Sequence, residues 1–244
     1  MNPVKGLSFD ADGTLVGTFA GASMGFENFF LHAAASHGKY FSLEDLQPIL
    51  QYTKEETVKW RASGFEPYAS EENSRRYWLW FYEEVFSEMD LPEPKKTAHQ
   101  FLERYEAGEF TMLYSDVLPC LQTLRAQGIP MIVISNYSPI LERFLNKLGI
   151  SHYFKAALIS GITGVEKPNP ALFQMGAEAL ALHPSEILHV GNDLEEDYRG
   201  PQNAGFQAVL LDRNRQCIDP SIHKIHTLEA LVTLLPQQYT SHGN

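Results

Sequence analysis

The chain has 244 residues, 44% of them hydrophobic and 12% aromatic, which supplies a large core or one domain with a smaller one inserted. A formal net charge of -11 at pH 7 leaves no basic face of the kind nucleic acids and anionic membranes require. Cys120 and Cys217 lie far apart in no CxxC pattern, and neither a leader-like apolar run nor the roughly 18–20 apolar residues of a membrane span is present, so a cytoplasmic protein with no nucleic-acid or membrane partner is expected.

Val4 to Phe9 is a short apolar run that reads as a strand, ending at two carboxylates, Asp10 and Asp12, and a sharp turn at Gly13-Thr14. From about Gly17 to Phe110 the signals are helical, with almost no convincing strand. Phe26, Phe29, Phe30 and Ala33 recur at helical spacing. Ser42 with Asp45 forms one capping-box pattern and Thr53 with Glu56 a second, predicting two helix starts. Glu71 to Met89 is the strongest helix, with Trp78, Phe81, Tyr82 and Val85 on one face. Pro92 and Pro94 end it, and a further helix runs from Lys95 to Glu106. The aromatic run of the Glu71–Met89 helix reads as the core of a helical subdomain.

Beyond Tyr114 helices and apolar strands alternate. Helices are expected over Asp116–Ala126, from Ser138-Pro139 to Gly149, over Pro170–Ala181 and over Asp197–Ala204, with a last one capped by Thr227. Strands are expected over Met131–Ile134, Ala156–Ser160, Ile187–Val190 and Ala208–Leu211. The tail from Pro236 is polar and expected to fray. This alternation predicts an α/β fold, a Rossmann-like parallel sheet built from residues 1–16 and 112–244, with an all-helical insertion over residues 17–111.

Ligands of open parallel sheets bind beyond the C-terminal ends of the strands, so the residues just past each strand carry the information. They are Asp10 and Asp12, then Ser135-Asn136, then a loop holding Lys167, then Gly191-Asn192-Asp193 with Asp197 four residues on. Each set alone is an ordinary turn or helix cap. In succession they suit phosphoryl transfer: a carboxylate nucleophile, a lysine and a hydroxyl for phosphate oxygens, a second carboxylic acid to move a proton, and acidic groups for a divalent cation.

These four motifs, Phe9-Asp10-Ala11-Asp12-Gly13-Thr14-Leu15, Ile134-Ser135-Asn136, Lys167-Pro168 and Gly191-Asn192-Asp193 through Asp197, resemble those of the haloacid dehalogenase superfamily, and the helical insertion stands where that superfamily places its cap. The segment from His189 to Phe206 and the tryptophan-rich helix narrow the resemblance to one group of it. The resemblance implies Asp10 as nucleophile and Asp12 as acid/base. Thr14, Ser135, Asn136 and Lys167 would bind substrate, with Lys167 also quieting the Asp10 charge. Mg²⁺ would be held by Asp10, the Asp12 carbonyl and the fourth motif. There the family often has Gly-Asp, whereas this chain has Gly191-Asn192-Asp193, so either Asn192 or Asp193 is the ligand.

The expected activity is Mg²⁺-dependent hydrolysis of a small phosphorylated metabolite. A metal-free 2-haloacid dehalogenase usually lacks aspartate two positions after the nucleophile, so Asp12 favours the phosphatase. Two further readings stand beside these: a phosphomutase on the same fold, and a catalytically weak protein that binds a phosphorylated ligand. Substrate choice would lie in the insertion, in residues such as Arg61, Arg75, Arg76 and the aromatics.

Overall fold

The computed structural model describes residues 3–20, 23–24, 26–68 and 70–235, so the polar tail lies outside the described residues. In chain order the elements are β1 (Gly6–Phe9), β2 (Val16–Ala20), β3 (Ser23–Met24), α1 (Phe26–Ser36), α2 (Leu43–Ala62), α3 (Glu71–Glu88), α4 (Pro94–Glu106), β4 (Thr111–Leu113), α5 (Val117–Ala126) and β5 (Met131–Ser135). Next come α6 (Ile140–Lys147), β6 (Ala157–Ile159), α7 (Ser160–Thr163), α8 (Pro170–Leu180), β7 (Ile187–Gly191), a π-helical turn over Leu194–Arg199, α9 (Gly200–Asn203), β8 (Gln207–Leu211), β9 (Lys224–Ile225) and α10 (Leu228–Leu234). Two compact units result, one comprising the chain to Val16 and from Leu113 onward, the other Gly17–Met112.

The first unit is built on a six-stranded sheet in the order β6-β5-β1-β7-β8-β9. Its pairs are parallel, with Phe9 opposite Val133 on one side and Val190 on the other. β1, β5 and β7 are buried along their whole length, as strands covered on both faces must be. Ile132 and Ile134 pack against Leu172, Phe173 and Ala177 of α8. Strand alternation sends Met131 and Val133 to the opposite face. β9, two residues long, is an edge strand too short to leave a pattern in the sequence.

Four helices dominate the second unit. Leu46, Phe81, Tyr82, Phe86 and Phe101 gather around Phe29 and Phe30 in its core. Phe29 meets Phe101 and Phe110 edge-on at 4.8 and 4.9 Å, so the aromatic run is packing material of the helices. The unit is not wholly helical. β2 and β3 pair antiparallel, and a small sheet runs β3-β2-β4, where the sequence predicted almost no strand. Five, two and three residues are too few to set a period, and pairing partners decide such segments.

Ser42 caps α2 through the predicted box with Asp45. The second predicted helix start, at Thr53, is corrected: α2 runs on without a break to Ala62. Thr53 is buried in mid-helix and its hydroxyl donates to the Ile49 carbonyl at 2.9 Å, a back-bond that uses up the group a cap would need. The expected helix over Asp197–Ala204 also begins earlier, because Asp193 accepts from the Glu195 and Glu196 N–H groups, each at 2.8 Å, and opens the π-helical turn.

Replacing Phe29 with alanine removes the ring on which Phe30, Tyr82, Phe101 and Phe110 close. Phe29→Ala is expected to lower unfolding free energy by about 3–5 kcal/mol, read by urea titration; an unchanged midpoint would contradict the core described.

Candidate active site

β1 lies between later strands on both sides: the chain moves outward to β5 and β6, then returns past β1 to β7, β8 and β9. Successive connections therefore leave in opposite directions at the C-terminal ends of β1, β5 and β7, which opens a crevice there. Asp10, Ser135 and Asn192 stand at these ends because their strands stop beside them.

A buried ionic cluster lies beside these strand ends. The Lys167 ammonium donates to Asp10 Oδ1 at 2.7 Å and to Asp197 Oδ1 at 2.5 Å, and the three side chains are 1%, 8% and 2% exposed. Ser135 Oγ donates to the same Asp10 oxygen at 2.9 Å. Burial works against the Lys167 charge, but Asp10, Asp197 and Glu196 outweigh it and hold the ammonium protonated. One cation serves two carboxylates. Burial raises the Asp10 carboxyl, and the neighbouring Asp197 adds to the rise against the pull of Lys167. Burial acts likewise on Asp197, but Lys167 and His189 overcome it and keep that carboxyl well below the usual range.

Asp12 stands apart from this cluster. Its side chain is exposed, yet its carboxyl is pushed up to about 7, by desolvation first and by the Asp10 charge second. Water at an exposed side chain relieves part of the desolvation, so the Asp10 charge is the more durable cause. Gly13 has φ +72°, and a Cβ there would lie 2.7 Å from Asn192 Nδ2; glycine lets the turn and Asn192 approach. The buried Thr14 hydroxyl donates to Asn192 Oδ1 at 3.1 Å.

Asn136 clamps the loop that carries the lysine. Its Oδ1 accepts from the Lys167 N–H at 2.7 Å, while its Nδ2 donates to the Lys167 carbonyl and to Glu196, both at 2.9 Å. Glu196 is half-buried, and burial, with the acidic neighbours Asp197, Asp193 and Asp10, pushes it up to about 7 against Lys167. Of the predicted residues, Asp10, Ser135 and Lys167 thus meet directly, Asn136 meets Lys167 through its backbone, and Thr14 meets Asn192. Asp193 serves as a helix cap. Among the described residues no three His, Cys, Asp or Glu side chains gather into a cage for a cation.

Arg213, just past β8, was not predicted. Its guanidinium donates to the Thr14 carbonyl at 2.8 Å and to the Gly13 carbonyl at 3.3 Å, and pairs with both oxygens of Asp116 at 2.8 and 3.0 Å. It lies 4.0 Å from the centre of the Tyr114 ring. Asp116 also accepts from the Leu228 N–H at 2.8 Å, so one ion pair ties the turn after Asp12 to the starts of α5 and α10. The rule that found the other sites, reading the residues just past each strand, points to Asp212-Arg213 after Ala208–Leu211 as well.

Burial would raise the Asp116 carboxyl, but Arg213 and the Leu228 N–H reverse this and hold it below its ordinary value. A depressed folded pKa contributes stability above the unfolded value of about 3.9 and loses it as the pH falls through the folded one. Asp116→Asn should therefore cost about 3 kcal/mol near neutrality, with the gap to the unaltered chain closing in acid. Chemical denaturation at several pH values measures this; a gap that stays constant into acid would contradict it.

A sequence profile described as haloacid dehalogenase-like hydrolase matches residues 4–205. The chain is 36% identical over 127 residues to a glyceraldehyde 3-phosphate phosphatase of Methanopyrus kandleri, covering 51% of this chain and 54% of that protein. It is 35% identical over 120 residues to human haloacid dehalogenase-like hydrolase domain-containing protein 3, covering 48% and 47%; this is the group to which the His189–Phe206 segment points. The matched stretches span about half the length of these curated relatives. A dehalogenase crystal structure superposes with a TM-score of 0.74 at 20% identity over 96% of this chain and 98% of that one, a likeness of fold. With four ordered motifs at the strand ends and a profile that covers most of its length, the chain belongs to the haloacid dehalogenase-like hydrolase family.

Proposed function

We propose that the chain is a phosphatase that hydrolyses a small phosphorylated metabolite with Mg²⁺, through an aspartyl phosphate on Asp10. The observation that carries this is the pairing of two unlike aspartates. Asp10 is buried and fixed through Oδ1 by Ser135 and Lys167, and Asp12, two residues on, has a carboxyl pushed up to about 7. Among the described residues Asp10 Oδ2 takes neither of these bonds, which suits it to attack phosphorus. The P–O bond to the leaving group then breaks, and Asp12 gives that oxygen its proton. In the second step the Asp12 carboxylate takes a proton from water, which attacks phosphorus, releases phosphate and restores Asp10.

The remaining residues support this chemistry. Lys167 balances the charge of Asp10 and would meet a phosphoryl oxygen together with Ser135. Asn136 holds the Lys167 loop through both of its backbone groups, so its contribution to substrate would fall to its own backbone. Thr14 would act through Asn192, to which its hydroxyl is committed. The donor set also fits the cation. Mg²⁺ commonly uses one or two carboxylates with neutral oxygens, water and substrate. Asp10, the Asp12 carbonyl and the Asn192 amide oxygen would hold it. Asn192, whose Oδ1 accepts one hydroxyl, is favoured over Asp193, whose Oδ1 accepts two N–H groups as a helix cap. Bound there, the cation would neutralise charge shared by the carboxylate and the phosphoryl group.

Residues 1–16 and 112–244 form the catalytic domain in this reading, and residues 17–111 a cap that selects substrate. Of the arginines marked for selection, Arg75 pairs with Glu106, Arg76 lies 5.3 Å from the Trp60 ring and Arg61 lies 5.9 Å from the Tyr68 ring, so each also supports the unit's own packing.

With p-nitrophenyl phosphate and Mg²⁺ the chain should release phosphate, and Asp10→Asn should release none. Asp12→Asn should lower kcat by about 10²–10⁴-fold with a much smaller change in KM. Wild-type kinetics in Asp12→Asn would remove that residue from the mechanism. Halide release from a 2-haloacid, undiminished by EDTA, would replace the phosphatase with a dehalogenase.

A further inference from the structure

His189 lies on β7 and is wholly buried, and the two steps of phosphoryl transfer do not use it. Its Nδ1 is 2.8 Å from the hydroxyl of Ser8, on the neighbouring β1, and its Nε2 is 3.2 Å from Asp197 Oδ1. That carboxylate oxygen is also the one Lys167 holds at 2.5 Å, and Lys167 in turn holds Asp10. The second Asp197 oxygen accepts from the Asp193 N–H at 2.9 Å. The ring meets Phe173 edge-on at 5.5 Å, which fixes its plane. Gly191 closes the arrangement, since a Cβ there would lie 2.3 Å from the Asp197 carboxyl carbon.

We infer that His189 is a positioning residue for the phosphoryl-transfer site, holding Asp197 so that Lys167 is presented to Asp10. The chemistry assigns the proton. An ionised carboxylate only accepts hydrogen bonds, so Nε2 must carry the hydrogen it donates to Asp197. In the neutral ring Nδ1 is then an acceptor, and the Ser8 hydroxyl donates to it. A fully buried line of contacts thus runs Ser8, His189, Asp197, Lys167, Asp10. Ser8 and His189 lie opposite one another in the β1–β7 register, so the sheet itself sets the first link. Losing the imidazole leaves Asp197 tied by one oxygen to the Asp193 N–H and by the other to a lysine with a long, flexible stem. The ammonium can then follow Asp197 away from Asp10, which changes the reacting carboxylate without touching substrate.

Granting the phosphatase reading, the kinetic test compares two variants. His189→Leu should lower kcat by about 10–100-fold with KM within about twofold of the unaltered chain. His189→Gln, whose amide can still donate toward Asp197, should recover a large part of that loss. Thermal unfolding of both variants checks that they fold. Equal losses in the two folded variants, or an unimpaired His189→Leu, would overturn the inference. Nitrogen-15 NMR of the unaltered chain supplies a readout that needs neither substrate nor mutation. A hydrogen on Nε2 supports the inference, and a bare Nε2 overturns it. If the unaltered chain hydrolyses no phosphate monoester, the proposed function fails while the NMR result still decides the proton assignment.

Discussion

An ammonium as deeply buried as that of Lys167 is tolerable only when carboxylates meet it, and here it meets two. Removing the lysine would leave two buried carboxylates with no cation between them. The requirement couples three segments that are remote in sequence: the end of β1 with Asp10, the loop that leads into α8 with Lys167, and the π-helical turn after β7 with Asp197. The sheet brings the first and last together by placing β1 beside β7. Asn136 brings the second, by binding the loop on both sides of the lysine's backbone. In the proposed mechanism stability and chemistry are thus joined, since the lysine that Asp10 helps to make bearable also balances the charge of Asp10, the proposed nucleophile.

The aspartates at positions 10 and 12 illustrate how environment makes identical side chains unlike. Asp10 is enclosed and bonded to a serine and a lysine. Asp12 is exposed and bears the repulsion of its neighbour. Gly13 makes the pair possible, since its left-handed backbone turns the chain at once and lets Asn192 close over the turn. Arg213 then holds the carbonyls of that turn from the far side.

Much of this was legible in the sequence because the parallel sheet concentrates chemistry at strand ends. Asp10, Ser135 and Lys167 could be found by inspecting the residues just past each apolar run, and they meet directly. The same inspection, applied to the last long strand, would have found Arg213. What pattern could not supply were commitments made in three dimensions. The Asn136 side chain is spent on the lysine's backbone, Thr53 bonds back into its own helix, and Asp193 caps a turn. Each is a polar side chain choosing among several local partners, and spacing alone does not rank them. The strands β2, β3 and β4 escaped for a different reason, being too short to carry a period. His189 was hidden because a buried histidine in an apolar strand looks like packing until its two nitrogens are seen to have partners.

In the proposed mechanism a phosphoryl group rests on Asp10 between two steps, and everything else in the site serves that intermediate. Rapid acid quench of the chain while it turns over a phosphate monoester, followed by mass spectrometry of its peptides, tests this most directly. A phosphoryl group on Asp10 is the predicted result. A phosphoryl group on another residue, or steady phosphate release with Asp10 never modified, would contradict it.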